Sequence, residues 1–424
     1  MRLTALLFLS IFYCQFSSAD NWPAWRGDAA GSGRTGESDL PLEWGKDKNV
    51  KWRIDLPDRG NSTPVIFGDK VFVTQAVDTE KFRGLYCFDR KDGKQLWKKG
   101  LTFNKKERTH GANPYASASA ATDGKTVVAY FGSAGAMAWD LDGNEKWKKD
   151  FGPIDHVWGN STSPVISGDL VFFYHGPGPG AVMMALKLST GETVWKFDEP
   201  KWDVKGRTDG FRDQDGDGVV GSFSTPILVE AGDRKELVMS FPMEMKSFDP
   251  ASGKVLWTAK GLNPLIYTSP VVDGENVLVL GGYSGNSISV KAGGDGDVTS
   301  SNRLWQKVRH NGGIGTGVTK GGYYYYQDTG GITSCLDVAT GEEKWKARLP
   351  GAGKSWGSFV LSGERIYTLS QAGDSVVFKA APEKFEVLAQ SDIGEHTNSS
   401  LAVSDGEIFI RTWEGLWCIS KQQL

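Results

Sequence analysis

From residue 62 onward, short apolar runs alternate with polar positions and are cut at intervals by Gly-Asp, Asp-Gly or Thr-Gly pairs. The first unit opens Ser-Thr-Pro-Val-Ile-Phe-Gly-Asp-Lys-Val-Phe-Val (residues 62–73) and ends Leu-Tyr-Cys-Phe-Asp-Arg-Lys-Asp-Gly-Lys-Gln-Leu-Trp (residues 85–97). Period-two runs bounded by turn residues predict strands and hairpins, and no long window carries a helical period. Related units recur. Ser163-Pro164-Val165 leads to Thr190-Gly191 and Trp195, Thr225-Pro226-Ile227 to Ser252-Gly253 and Trp257, and Ser269-Pro270-Val271 to Trp305. A unit from Ser117 ends at Asp142-Gly143 and Trp147, and a degenerate one from Thr316 ends at Thr340-Gly341 and Trp345.

Successive terminal tryptophans from Trp52 to Trp345 are spaced by 45, 50, 48, 62, 48 and 40 residues. That period fits the four-stranded blade of a propeller. Inner strands are predicted to begin near Ser62, Ser117, Ser163, Ser224, Ser269, Thr316, Ser358 and Ser400, which gives an all-β, eight-bladed propeller. The last unit runs out at Leu416-Trp417-Cys418-Ile419 with three strands, whereas Val50-Lys51-Trp52-Arg53-Ile54 is a spare strand. The spare strand is therefore expected to close the ring and remove the exposed edges. Trp52, Trp97, Trp147, Trp195, Trp257, Trp305 and Trp345 are read as structural, each packing over the next blade. The glycine ahead of each permits a tight turn. Cys87, Cys335 and Cys418 share one repeat position, filled elsewhere by Ala138, Ala185 and Ser247. Equivalent positions of different blades lie beyond disulfide reach, so three free, buried thiols are expected.

Composition adjusts this picture at the ends. Met1-Arg2, the apolar run Leu3–Phe16 and Ser17-Ser18-Ala19 read as a signal peptide cleaved after Ala19. The organisation expected is thus 1–19 signal peptide, 20–49 N-terminal extension and 50–424 propeller, in an exported (periplasmic or secreted) monomer. No other stretch is long and apolar enough to span a membrane. With 48 basic against 51 acidic residues, the chain has no cationic excess with which to grip nucleic acid.

The pattern Ala/Cys-x-Asp-x-x-Thr/Asp-Gly-x-x-x-Trp, clearest at Cys87–Trp97, Ser247–Trp257 and Cys335–Trp345, resembles the tryptophan-docking repeat of pyrroloquinoline quinone (PQQ)-type propellers. The opening Trp22-Pro23-Ala24-Trp25-Arg26-Gly27 and the closing Arg411–Ile419 resemble bacterial PQQ-like repeat proteins. The resemblance implies the fold over nearly the whole chain, and two unlike functions. One is a cofactor-free scaffold similar to the assembly factor BamB. The other is a quinoprotein dehydrogenase holding PQQ and calcium on the axis. The sequence has no adjacent cysteine pair and no Cys-x-x-Cys-His, so the dehydrogenase stands second to a binding role.

Function in a propeller lives in the loops that lead from one blade's outer strand to the next blade's inner strand. Four of the five histidines fall there: His110, His156, His310 and His396. Near them stand Arg59, Asn61, Tyr115, Trp158, Asn160, Tyr267, Asn311, Trp356 and Asn398. Imidazoles, amides and aromatics make a polar ligand site, expected here to bind a protein partner or a small polar ligand. No His-x-His or His-Glu-x-x-His spacing supports zinc. A separate signal lies in the long connection after Trp195, where Asp213, Asp215 and Asp217 alternate ahead of Val219. This resembles the first half of an EF-hand loop, with the Val219 carbonyl as a further donor. Ser224 stands where that loop's closing Glu belongs. The expectation is a structural calcium ion.

Overall fold

The computed structural model describes residues 21–204, 219–351 and 353–421. Residues 1–19, expected to be a signal peptide, and the calcium candidates Asp213, Asp215 and Asp217 lie outside them. Within the described residues eight antiparallel four-stranded blades surround an axis. Blade 1 is Val65–Phe67, Lys70–Val77, Phe82–Asp89 and Gln95–Thr102, running from the axis outward. Blades 2 to 7 repeat the order. Blade 8 takes Ala402–Ser404, Glu407–Arg411 and Gly415–Ser420 from one end of the chain and Val50–Asp55 from the other, with Trp52 opposite Cys418. The expected closure is present, and it leaves no blade short of an outer strand.

The core follows from this geometry. Each sheet buries both faces against its neighbours, so the apolar interior is a ring of separate clusters. Val65, Phe72 and Leu85 of blade 1 pack with Val127, Ala129 and Trp139 of blade 2, and similar clusters fill the later joints.

The tryptophans fasten these joints. The indole Nε1 of Trp52, Trp97, Trp147, Trp195, Trp305 and Trp345 donates to a backbone carbonyl of the following blade, at Arg90, Leu141, Leu188, Pro250, Val338 and Ala381, over 2.8–3.1 Å. The ring lies over that blade's outer turn. At Gly143 and Gly191 a Cβ would stand 2.9 and 2.8 Å from Trp97 and Trp147. Trp257 departs from the pattern. Its Nε1 donates 2.6 Å to Glu236 Oε2 of its own blade, because blade 5 has no tight Gly turn. There Gly296–Asp297 instead pairs parallel with Trp257 and Thr258. Cys87, Cys335 and Cys418 sit opposite Trp97, Trp345 and Trp52. All three are free and buried, and burial pushes the Cys87 and Cys335 thiols up to about 12.

The N-terminal extension seals one end of the axis. Trp22 exchanges backbone hydrogen bonds with Ile66 at the far end of the innermost strand of blade 1. The chain then passes under blade 2 (Thr122 N to Pro23 O, 2.9 Å) and blade 4 (Leu228 N to Ala29 O, 2.8 Å). Arg34–Thr35 joins the inner edge of blade 7 as a parallel strand. Arg26, 2% exposed, lies over the Trp25 ring and, among the described residues, hydrogen-bonds only to carbonyls: Gly31, Ser32, Thr316, Gly317 and Phe359. Without a carboxylate partner, burial pulls its guanidinium down to about 10. Five acceptors keep the buried cation tolerable.

Candidate functional site: an axial cup

The innermost strands start from a shared hydrogen-bonded belt. The backbone N–H of Thr63 donates to Ser119 Oγ, Ser119 to Ser163, Ser163 to Thr225, Thr225 to Ser269, Ser269 to Thr316, Thr316 to Ser358 and Ser358 to Ser400, each over 2.8–3.1 Å. Each blade thus hands its amide to a hydroxyl of the next. Only a short hydroxyl side chain reaches that amide without filling the axis, which is why Ser or Thr recurs here. The joint between blades 8 and 1 breaks the pattern: Thr63 Oγ1 has no partner among the described residues, and Ser399 Oγ donates to Ser62 O at 3.2 Å. This belt also corrects the expected strand starts. Ser62, Ser117 and Ser224 lie one or two residues ahead of the true repeat position.

Two residues before the belt, one position from every blade lines a cavity of about 280 Å³. In blade order this collar is Asn61, Ser117, Ser161, Phe223, Tyr267, Ile314, Trp356 and Asn398. Trp25 of the extension, His110, Asn113, Trp158, Tyr283 and the belt residues Thr225, Thr316, Ser358 and Ser400 complete the lining. The result is a cup, open at the loops and closed below by the extension. The collar divides in half. Blades 8, 1, 2 and 3 contribute amides and hydroxyls, and blades 4, 5, 6 and 7 contribute rings and an isoleucine.

Rings of the apolar half contact one another around blades 4 and 5. Phe223 and Tyr267 stack at 6.0 Å and 5°, Trp158 stacks on Tyr267 at 6.0 Å, and Tyr283 meets Tyr267 edge-on at 5.3 Å. The polar half is braced by its own amides. Asn61 Nδ2 donates 2.8 Å to Ala112 O, while Asn61 Oδ1 accepts from Trp413 Nε1 at 3.1 Å. Asn398 reaches the same Ala112 carbonyl at 3.2 Å and accepts from Gln371 at 2.6 Å. Asn113 Nδ2 donates to Trp158 O, tying the two halves together.

Of the residues singled out from sequence, Asn61, His110, Trp158, Tyr267, Trp356 and Asn398 line the cup. The others stand away from it. Arg59 lies over the Trp413 ring, and His396 packs against that ring at 4.1 Å. Tyr115 donates to Glu107 O and lies beneath Arg83. Asn160 donates to Gly176 O, and Asn311 Oδ1 accepts from Thr329 Oγ1. His310 bridges Ser287 Oγ and Tyr326 OH, both at 2.8 Å. His156 is buried behind the cup against Trp158 and Phe223, and burial pulls it down to about 4. Sequence reasoning missed Trp25, Ser117 and Ser161 as lining residues, along with Phe223, Tyr283 and Ile314. For four of these the collar register, counted back from the belt, was the available signal.

The chemistry of the lining is neutral. Among the described residues no Asp, Glu, Lys or Arg side chain lines the cup, and no three His, Cys, Asp or Glu group to hold a metal. Calcium needs hard anionic oxygens, and a polycarboxylate quinone needs cationic partners. The lining supplies neither, so its donor set does not fit PQQ with calcium. Val219, the described part of the calcium candidate, lies shortly before Gly221–Ser222, which pairs parallel with Leu265–Ile266.

Comparisons with known proteins now bear on this geometry. A family model described as outer membrane protein assembly factor BamB matches residues 37–196, 81–347 and 185–423. Among solved structures, BamB from Moraxella catarrhalis is similar at 14% identity and a TM-score of 0.60, over 88% of this chain and 97% of that one. A quinohemoprotein alcohol dehydrogenase from Comamonas testosteroni is similar at 12% identity and 0.70, over 96% and 81%. The computationally designed Ika8 protein is similar at 13% identity and 0.55, over 91% and 100%. At these identities the structural likeness speaks for the fold. No curated protein sequence matches.

Proposed function

The chain belongs to the family of the outer membrane protein assembly factor BamB, and from that membership we propose that it is a binding propeller without catalytic chemistry, whose ligand or partner enters the axial cup. The observation that carries the reading is the neutral collar. Eight blades deliver one residue each to the cup, and among the described residues the set holds amides, hydroxyls and rings but no carboxylate, amine, guanidinium or thiol. His110, exposed at the rim, is the single imidazole of the lining. In this reading residues 1–19 are a leader removed on export, 20–49 are the extension that floors the cup and 50–424 are the propeller. The floor makes the cup a dead end. A ligand enters and leaves by the loop face, as a recognition site requires.

The quinoprotein alternative rests on fold likeness and is the reading to test against. Purified protein is mixed with PQQ and calcium. No stoichiometric quinone absorbance and no dye-linked alcohol oxidation are expected. Stoichiometric uptake with oxidation would replace the binding reading by a dehydrogenase.

A further inference from the structure

The two halves of the collar, and the hydroxyls beneath them, define the chemistry of what the cup takes. Thr225, Thr316, Ser358 and Ser400 each use their oxygen to accept the backbone N–H of the preceding blade. None of the four finds an acceptor for its own hydroxyl proton among the described residues, although each lines the cup. A hydroxyl both donates and accepts, so four donors remain available around the axis at the base of the cavity. Above them, one side carries serines and amides, with Asn61 and Asn398 already hydrogen-bonded within the protein, and the other carries rings and an isoleucine.

Three ligand classes fail this arrangement. A charged ligand would be taken out of water with no opposite charge among the described lining residues. A wholly apolar ligand would bury the four hydroxyl donors unpaired. A protein side chain has few acceptors to meet donors that converge from four blades. A sugar ring meets each demand. Its axial C–H bonds present an apolar face to aromatic rings, whose negative faces favour the polarised C–H. Its hydroxyls and ring oxygen accept and donate around the opposite edge. The volume, about 280 Å³, sits just below the ~300–1,000 Å³ of small-molecule pockets and suits a ring entering end-on.

We infer that the cup binds an uncharged sugar ring, either a free saccharide or the terminal residue of a glycan, stacked on the arc of Phe223, Tyr267 and Trp356 and hydrogen-bonded by the hydroxyls of Thr225, Thr316, Ser358 and Ser400. This rests on the binding function proposed above and assigns its ligand class.

The test is titration calorimetry and intrinsic tryptophan fluorescence on the mature protein. The probes are glucose, N-acetylglucosamine and their β-1,4-linked disaccharides, with glucuronate and glucosamine as charged analogues. Saturable binding of a neutral sugar is expected, with the charged analogue of the same ring weaker by about tenfold or more. A disaccharide preferred over its monosaccharide assigns a glycan end, and equal affinity assigns a free sugar. Tyr267→Ala should weaken binding by about tenfold, while Tyr267→Phe retains it. Ser161→Ala, which breaks no side-chain hydrogen bond seen in the structure, should weaken it at an unchanged melting temperature. Absence of saturation by every neutral sugar with folded protein, or equal binding of glucuronate, overturns the inference. If the quinone assay is also negative, the sugar falls and the binding function stands. Quinone uptake with oxidation takes down both.

Discussion

Gly253→Ala isolates what the docked tryptophans do. Gly253 has φ +73, and a Cβ built there would stand 2.4 Å from Cδ2 and 2.6 Å from Cε3 of Trp195. Gly232, in the same blade, has φ +60 and nothing within 4 Å of its Cβ position. Both substitutions force an L-residue into the left-handed region, which costs about 1–2 kcal/mol. Only Gly253→Ala also drives a methyl into a packed indole, adding about 1–3 kcal/mol of overpacking and straining the 2.9 Å bond from Trp195 Nε1 to Pro250 O. The expected losses are therefore about 1–2 kcal/mol for Gly232→Ala and about 2–5 kcal/mol for Gly253→Ala. Urea unfolding followed by tryptophan fluorescence reads both, as a shift in midpoint at constant slope. A double-mutant cycle sharpens the comparison. In a Trp195→Ala background the clash is gone, and Gly253→Ala should fall to the level of Gly232→Ala. Equal midpoints for the two single variants, or an undiminished effect without Trp195, would refute the claim that ring-on-glycine contact holds the blades together.

Four further outcomes are expected. His156, His175 and His310 are each held down to about 4 by burial, while an unfolded histidine takes its proton near pH 6.5. Protons therefore favour the unfolded chain between those values, and stability that is full above about pH 6.5 falls towards pH 4 by up to about 1.4 kcal/mol per histidine per pH unit; a flat melting profile from pH 7 to 5 contradicts the burial of these rings. Thiol titration of residues 20–424 should find Cys87, Cys335 and Cys418 slow in native protein and all three reactive in denaturant, and one disulfide seen by mass spectrometry sinks the assignment. Deleting residues 20–54 strips the outer strand of blade 8 and the Arg26 anchor, so the product should be poorly soluble and lower-melting; unchanged melting counts against closure. Millimolar calcium should raise the melting temperature if Asp213, Asp215 and Asp217 bind the ion, and Asp215→Ala should abolish the rise; no heat on titration and no shift reduce the motif to a turn.

What the sequence disclosed was the repeating scaffold, though not the repeating collar. Period-two runs, turn glycines and tryptophan spacing identified eight blades, the closing strand and the shared register of the three cysteines, because each position is set by the same contact in blade after blade. Non-repeating parts were illegible. Nothing in Trp22–Thr35 announces that it crosses beneath the ring, and Arg26 looks like a surface cation until five carbonyls gather around it. The histidines were chosen as a residue type in loops, whereas the cup is organised by register. His310 and His156 proved to be packed against neighbours, and Phe223 and Ile314, two residues before the belt, look like ordinary apolar loop positions. Trp257 docks differently because the turn it should cover is replaced by an insertion in blade 5, a long-range cause that local pattern does not carry.

The strand Val50–Asp55 leaves the ribosome before its partner Gly415–Ser420, with seven blades synthesised between them. Arg26 likewise waits for carbonyls 290 and 291 residues downstream. Between those moments the growing chain holds a lone strand and a bare inner edge, both open to pairing with other chains. Contacts of such sequence separation form slowly, so the ring has a built-in order of events: seven blades stack, and only then does the waiting strand find its place. Whatever escorts this polypeptide through its synthesis must shield that early strand for nearly the whole length of the chain.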